Sequence, residues 1–139
     1  MMKIRYRIIP LLLYLGLIFF ISSRPNLRPP GVDIFLMDKM IHFMEYFILG
    51  VLLFVGIGRA IIQSKFGTFV FLFAVGSSVG ALDEMFQSYI PGRNSSIYDF
   101  FADTIGVGTG LGIAFLWYTR RRCNSKSSDK LNSGGRLAQ

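Results

Sequence analysis

Cysteine, histidine and charge of either sign are scarce in this chain. A single cysteine, Cys123, excludes an internal disulfide and a multi-cysteine metal site. It follows Arg120, Arg121 and Arg122, a setting that predicts a free cytoplasmic thiol. The only histidine is His42. Charged residues make up 17% of the sequence and hydrophobic ones 52%. The hydrophobic residues fall in blocks rather than with a period, a pattern of membrane segments and not of a soluble core. No internal repeat is evident, and no nucleophile motif surrounds Ser95 and Ser96, which read as helix caps. Basic residues give a net charge of +7. They flank apolar blocks, where they orient membrane spans, so nucleic acid is not an expected partner.

The blocks predict an all-α, polytopic membrane protein: four transmembrane helices in a bundle, in one domain of residues 1–120. The helices are expected over about 6–22, 38–58, 66–89 and 97–118. The first reads as a retained helix, with a cleaved signal peptide as the alternative. Pro25, Pro29, Pro30 and Gly31 predict a loop over Arg24 to Met37. Asp38 is the expected N-cap of the second helix, and Arg59 to Lys65 a short basic turn. Pro91-Gly92 predicts a tight connection before the fourth helix, which Ser95 or Ser96 caps. Residues 121–139 read as a disordered basic cytoplasmic tail.

Both termini are placed in the cytoplasm by the basic residues. That orientation puts eleven inside (Lys3, Arg5, Arg7, Arg59, Lys65, Arg120, Arg121, Arg122, Lys126, Lys130, Arg136) and four outside (Arg24, Arg28, Lys39, Arg93). Of the eight acids, only Asp129 then falls on the cytoplasmic side. Helical spacing puts Asp38, His42, Glu45, Leu49, Leu52 and Gly56 on one face. Gly76, Gly80, Asp83 and Gln87 share a face of the third helix, overlapping one with Ser77 and Glu84. Asp99, Asp103, Gly106, Gly110, Ile113 and Trp117 form a stripe on the fourth, with Gly106-x-x-x-Gly110 as a small-residue packing motif.

At ~1.5 Å rise per residue, Asp83 and Glu84 lie roughly 10 Å below the outer end of their helix. Glu45 and Asp103 lie at similar depth. One shallow outer layer therefore holds His42, Glu45, Asp83, Glu84, Gln87, Asp99 and Asp103, with Lys39 and Arg93 at its rim. Charge inside a membrane helix costs from ~3 to ~10 kcal/mol or more, which makes such a layer a functional-site hypothesis. Interhelical hydrogen bonds return only about 0.6–2 kcal/mol each, a modest return if the layer serves helix register alone. Two chemical readings use the same residues. One is a metal site of His42, Glu45, Glu84 and the Asp99/Asp103 pair. The other is acid–base work by His42, Glu45 or Glu84, with Arg93 on an anionic group. A proton relay fits poorly, because the layer lies near one surface.

The chain resembles the VanZ-like family of small bacterial membrane proteins over roughly Leu17 to Gly112. The resemblance rests on Ser22-Ser23, Asp38-Lys39-x-x-His42-Phe43-x-x-Tyr46-x-x-Leu49-Gly50, Asp83-Glu84-x-x-Gln87, Pro91-Gly92-Arg93 and Asp99-x-x-Ala102-Asp103-x-x-Gly106. The family also accepts Asn at the place of Asp103. The resemblance implies a multi-pass protein of the bacterial inner membrane with a role in the cell envelope. The family's namesake is associated with low-level resistance to teicoplanin, which implies contact with an antibiotic or a lipid-linked wall precursor outside the membrane. The expected partner is therefore a membrane lipid or lipid-linked precursor; no cofactor or reaction follows. The candidate catalytic residues are His42, Glu45 and Glu84. The candidate ligand-binding residues are Lys39, Asp83, Gln87, Arg93, Asp99 and Asp103. The expected function is binding or modification of a polar head group, with a metal-dependent membrane hydrolase and a structural accessory protein as alternatives.

Overall fold

A computed structural model describes residues 2–24, 35–62, 64–93 and 95–135. Every regular element among them is helical, in the order α1 (Met2–Ser22), α2 (Phe35–Leu53), α3 (Lys65–Gln87) and α4 (Ile97–Gly135). Below Leu53, α2 continues through a π-helical turn, Phe54–Gly58, and a last turn, Arg59–Ile61. The four expected helices are all present. Three stretches, Leu36–Ile61, Lys65–Gln87 and Ile97–Ser125, are long and apolar enough to cross a membrane. The apolar part of α1, Tyr6–Ser22, is shorter.

Several boundaries differ from the sequence reading. Helix α1 begins at Met2 and runs through Pro10. Membrane helices tolerate an internal proline because neighbouring helices re-satisfy the freed carbonyl. Asp38 does not cap α2; it lies within the first turn of a helix that already starts at Phe35. The proline-rich loop expected before it lies, from Pro25 to Ile34, outside the described residues. Ser64 caps α3, its side chain accepting from the Gly67 N–H at 3.3 Å. Helix α4 runs on past residue 120, as far as Gly135. Extending a formed helix needs no new nucleus, so a tail without proline can remain helical beyond the bundle.

The connection from α3 to α4 follows from its sequence. Pro91 is followed by Gly92 at φ 83°, and the Arg93 N–H donates to the Ile90 carbonyl at 3.1 Å. These are the marks of a type II turn, whose third position needs a positive φ and hence glycine. Ser96 then starts α4, its hydroxyl accepting from the Tyr98 N–H at 3.3 Å.

The most extensive helix contact is between α2 and α4. It is a backbone-to-backbone contact made through glycine. A β-carbon on Gly106 would stand 2.4 Å from the Phe43 carbonyl oxygen, and one on Gly110 would stand 2.1 Å from that of Phe47. From the other side, a β-carbon on Gly50 would meet the Val107 oxygen at 2.5 Å. Small residues let membrane helices approach this closely and gain dispersion contacts that bulkier residues would forbid. The buried core around this seam is Tyr46, Leu49, Leu53, Leu72, Val107 and Leu111, with Leu11 and Ile18 from α1. The expected α4 stripe holds from Asp99 to Gly110 and then fails: Ile113 and Trp117 are both half exposed. Leu111 and Ala114, from the neighbouring row, are the buried residues there.

The end of the bundle near Arg59 and Tyr118 is basic and aromatic. The Arg59 and Arg122 guanidinium groups stand 5.4 and 5.7 Å from the Tyr118 ring, and that of Arg121 stands 4.0 Å from Trp117. The acids collect at the opposite end.

Gly106→Ala should lower the stability of the purified protein by about 1–3 kcal/mol, the usual cost of overpacking. Gly112→Ala should leave it nearly unchanged, because nothing lies within 4 Å of a β-carbon there. Thermal unfolding in mild detergent measures both. Equal midpoints for the two variants would contradict the glycine seam.

Candidate functional site

The seam carries the polar residues of α2 and α4 to one depth, and α3 closes the third side. Seven polar side chains at this end are buried: Ser22, His42, Asp83, Glu84, Gln87, Asp99 and Asp103. His42 and Asp103 face each other across the α2–α4 contact, one turn above the Gly106–Phe43 approach. His42 Nδ1 lies 3.0 Å from Asp103 Oδ1, and the Asp103 side chain has no solvent exposure. Gly80 of α3 makes room for this pair. A β-carbon there would stand 3.1 Å from Asp103 Cβ, 3.3 Å from its Oδ2 and 3.5 Å from the Tyr46 ring.

Glu84 reaches the same place from α3. Its Oε2 accepts from the Ser96 N–H at 2.9 Å, at the entry to α4. That bond orients the carboxylate and leaves Oε1 without a partner. One ligand atom from each of His42, Glu84 and Asp103 lies within 4.8 Å of the others. One turn beyond, Gln87 donates to Asp83 Oδ2 at 2.9 Å and to the Ser22 hydroxyl at 3.3 Å. Gln87 thus links α3 to the end of α1. Lys39 closes the top of the α2–α4 pair, donating to Asp99 and reaching Asp38 Oδ2 at 3.5 Å.

Not every expected site residue joins this group. Glu45 is half buried and turned toward α1, where Tyr14 donates to its backbone carbonyl at 3.0 Å. Its side chain borders an open, mostly apolar groove of about 490 Å³ between α1 and α2, lined also by Leu17, Ile21, Met40, Ile41 and Met44. The His42-x-x-Glu45 pairing therefore does not supply the three-residue convergence; Asp103 takes the place of Glu45. Arg93 stands close enough to act on the Glu45 carboxylate through its charge. Its Nη2 donates to the Ile21 carbonyl at 3.1 Å, fastening the turn to the end of α1.

Two residues of the site, Tyr46 and Ser22, entered the sequence reading only through the family motifs, with no place in the polar layer. Tyr46 is fully buried, and its hydroxyl has no partner. Its signal was helical spacing: it lies four residues from His42. Ser22 ends the apolar run of α1 and reads as a simple boundary until Gln87 is seen to reach it.

The cluster is unbalanced in charge. Among the described residues, Lys39 pairs with Asp38 and Asp99, and His42 with Asp103, while Asp83 and Glu84 have no ion-pair partner. Tyr46 Oη, Asp83 Oδ1, Glu84 Oε1 and Asp103 Oδ2 are all buried without a hydrogen bond. Each such atom costs about 1–3 kcal/mol when nothing satisfies it, and more when charged. The arrangement offers several oxygen acceptors, one imidazole and one phenol to something that enters it.

A protein-family model described as VanZ/LLP1 matches residues 4–118. No curated protein and no solved structure matches the chain.

Gln87→Leu should destabilise the folded protein by about 1–3 kcal/mol, because it strips Asp83 of its hydrogen bond. Adding Asp83→Leu should recover part of that loss, since removing both partners removes the unmet demand. Denaturation of the single and double variants in detergent tests this. A double variant as unstable as the sum of the singles would show that the two do not act as a unit.

Proposed function

This chain belongs to the VanZ/LLP1 family, and from that premise we propose that its buried polar cluster binds or modifies the polar head group of an envelope lipid or lipid-linked precursor. The cluster opens on the outer side of a bacterial inner membrane, with both termini in the cytoplasm. A lipid-modified antibiotic of the teicoplanin type presents similar chemistry and is a second class of ligand for the same site.

The observation that carries this reading is the set of buried, unsatisfied acceptors beside an apolar groove. Of the seven buried side-chain polar atoms without partners among the described residues, four belong to this cluster: Tyr46 Oη, Asp83 Oδ1, Glu84 Oε1 and Asp103 Oδ2. A network kept only for helix register would satisfy its own members, because an unmet polar group weakens the fold it is meant to specify. The groove between α1 and α2, with Met40, Met44, Leu17 and Ile21 on its walls, suits an acyl or prenyl chain. Glu45 borders it at the level of the cluster, so a lipid lying in the groove would bring its head group to the polar layer. Arg93 adds a cation at the rim, with its Nε unpartnered.

The orientation rests on charge. The end formed by Arg59, Lys65 and Arg120 to Arg122 is strongly basic, and basic residues are retained in the cytoplasm. The acids then face outward.

Two measurements test the reading. Lipids copurifying with the full-length protein should be enriched in one head-group class over the bulk membrane. Glu84→Gln should reduce that enrichment about ten-fold at unchanged protein yield. A lipid profile identical to bulk membrane in the wild type would refute head-group binding, and loss of folded Glu84→Gln would favour a structural role. For topology, exposed Cys123 is the only thiol. A membrane-impermeant maleimide should label it in inverted vesicles and not in spheroplasts; the reverse pattern would overturn the orientation.

A further inference from the structure

We infer that His42, Glu84 and Asp103 form a divalent-cation site, and that the cation is what allows this acid-rich cluster to hold a phosphate-bearing head group. For what the ion does, the inference rests on the head-group reading above; the assignment of the ion itself rests on geometry.

The three side chains come from three helices and are all buried. Their ligand atoms lie within 4.8 Å of one another. Zinc holds imidazole nitrogen and carboxylate oxygen at about 2.0–2.2 Å in a tetrahedron, so ligands on one ion stand roughly 3.3–3.6 Å apart. Side-chain shifts of up to about an ångström close the group onto a single ion.

The surroundings prepare the ligands. The Ser96 N–H holds Glu84 by Oε2 and leaves Oε1 unpartnered. Asp103 is held through Oδ1 and leaves Oδ2 unpartnered beside Gly80. Glu84 is thus oriented by a bond from outside the group, while Asp103 Oδ1 is bonded to His42, a member of it. An outer-shell bond that fixes one carboxylate oxygen and leaves the other unmet, as at Glu84, is an arrangement found around metals. One imidazole and two carboxylates suit Zn²⁺ or Mn²⁺. Three protein ligands leave at least one coordination position open, as in sites where a metal meets substrate rather than serving structure.

Charge makes the same point from the ligand's side. Asp83 and Glu84 have no cationic partner among the described residues. A phosphate would be repelled by these acids if it approached them directly. A divalent ion reverses the local sign and bridges the two, its open positions taking phosphate oxygens.

The test uses full-length protein in mild detergent, stripped with EDTA and titrated with Zn²⁺ alone and with Mn²⁺ alone. One saturable equivalent of ion and a raised unfolding midpoint are expected. Glu84→Gln and Asp103→Asn should each weaken binding about ten-fold or more, while Gly112→Ala, outside the cluster and with nothing within 4 Å of its added β-carbon, should change it little. The absence of a saturable site for either ion, or wild-type affinity in both Glu84→Gln and Asp103→Asn, would overturn the assignment. Lipid is quantified in the same samples. Loss of the enriched lipid on stripping, and its return with the metal, is expected. Lipid fully retained without metal would overturn the bridging role and indicate recognition of an amine head group. Metal bound at one equivalent with no enriched lipid would refute the head-group reading and leave the metal assignment standing.

Discussion

Carboxylates from different helices can meet inside a membrane only where the helix backbones nearly touch, and this contact between α2 and α4 is what the rest of the molecule depends on. Gly50, Gly106 and Gly110 bring the two backbones together, each placed where a β-carbon would collide with the facing main chain. Within one turn of that seam His42 meets Asp103 at 3.0 Å. Widen the seam by one methyl group and the pair separates. The polar site is in this sense a consequence of a packing solution, and the glycines are as much a part of it as the acids.

Around the seam, each helix contributes a different kind of support. Helix α3 brings Glu84 and Asp83, and its Gly80 leaves space for Asp103. The type II turn at Pro91-Gly92 reverses the chain so that Ser96 can hold Glu84 from the start of α4. Helix α1 carries little polarity of its own, yet Ser22 and the Ile21 carbonyl receive Gln87 and Arg93. The result is a set of bonds that tie the helices together around Asp83, Glu84 and Asp103, each of which keeps one oxygen without a partner. Desolvated acceptors without donors are expensive in a low-dielectric interior, so the unsatisfied centre is the feature that a ligand explains and a purely architectural role does not. The same contrast runs along the bundle: acids at one end, arginines stacked on Tyr118 and Trp117 at the other.

Much of this was legible before any coordinates. The four apolar blocks marked four helices, since spans declare themselves by length and hydropathy alone. Spacing placed Asp83, Gln87, Asp99, Asp103, Gly106 and Gly110 on inward faces, and all are buried. Periodicity was least reliable where a helix changes neighbours. Ile113 and Trp117 continue the α4 stripe on paper but turn outward, while Leu111 and Ala114 beside them are buried. Glu45 shares a face with His42 and feels the charges of His42, Asp83 and Asp103, while its side chain also borders the open groove beside α1. A helical wheel specifies angle, and it says nothing about which neighbour waits at that angle.

What the sequence by itself determined was the class of molecule, the number of helices, the faces that carry polarity and the family to which the chain belongs. Length, hydropathy and spacing are local properties, and they survive whatever the rest of the chain does. The tertiary structure alone decided which acids share a centre. His42 and Asp103 are 61 residues apart in the chain, and Glu84 and Ser96 meet across a turn. Such pairings depend on the rotation and depth of one helix against another, set by glycine contacts whose partners no spacing rule names. The opening layer of seven polar residues thereby resolves into a centre of His42, Glu84 and Asp103, an anchored Asp83–Gln87 pair, a Lys39–Asp99 rim, and a Glu45 at the border between the layer and the groove.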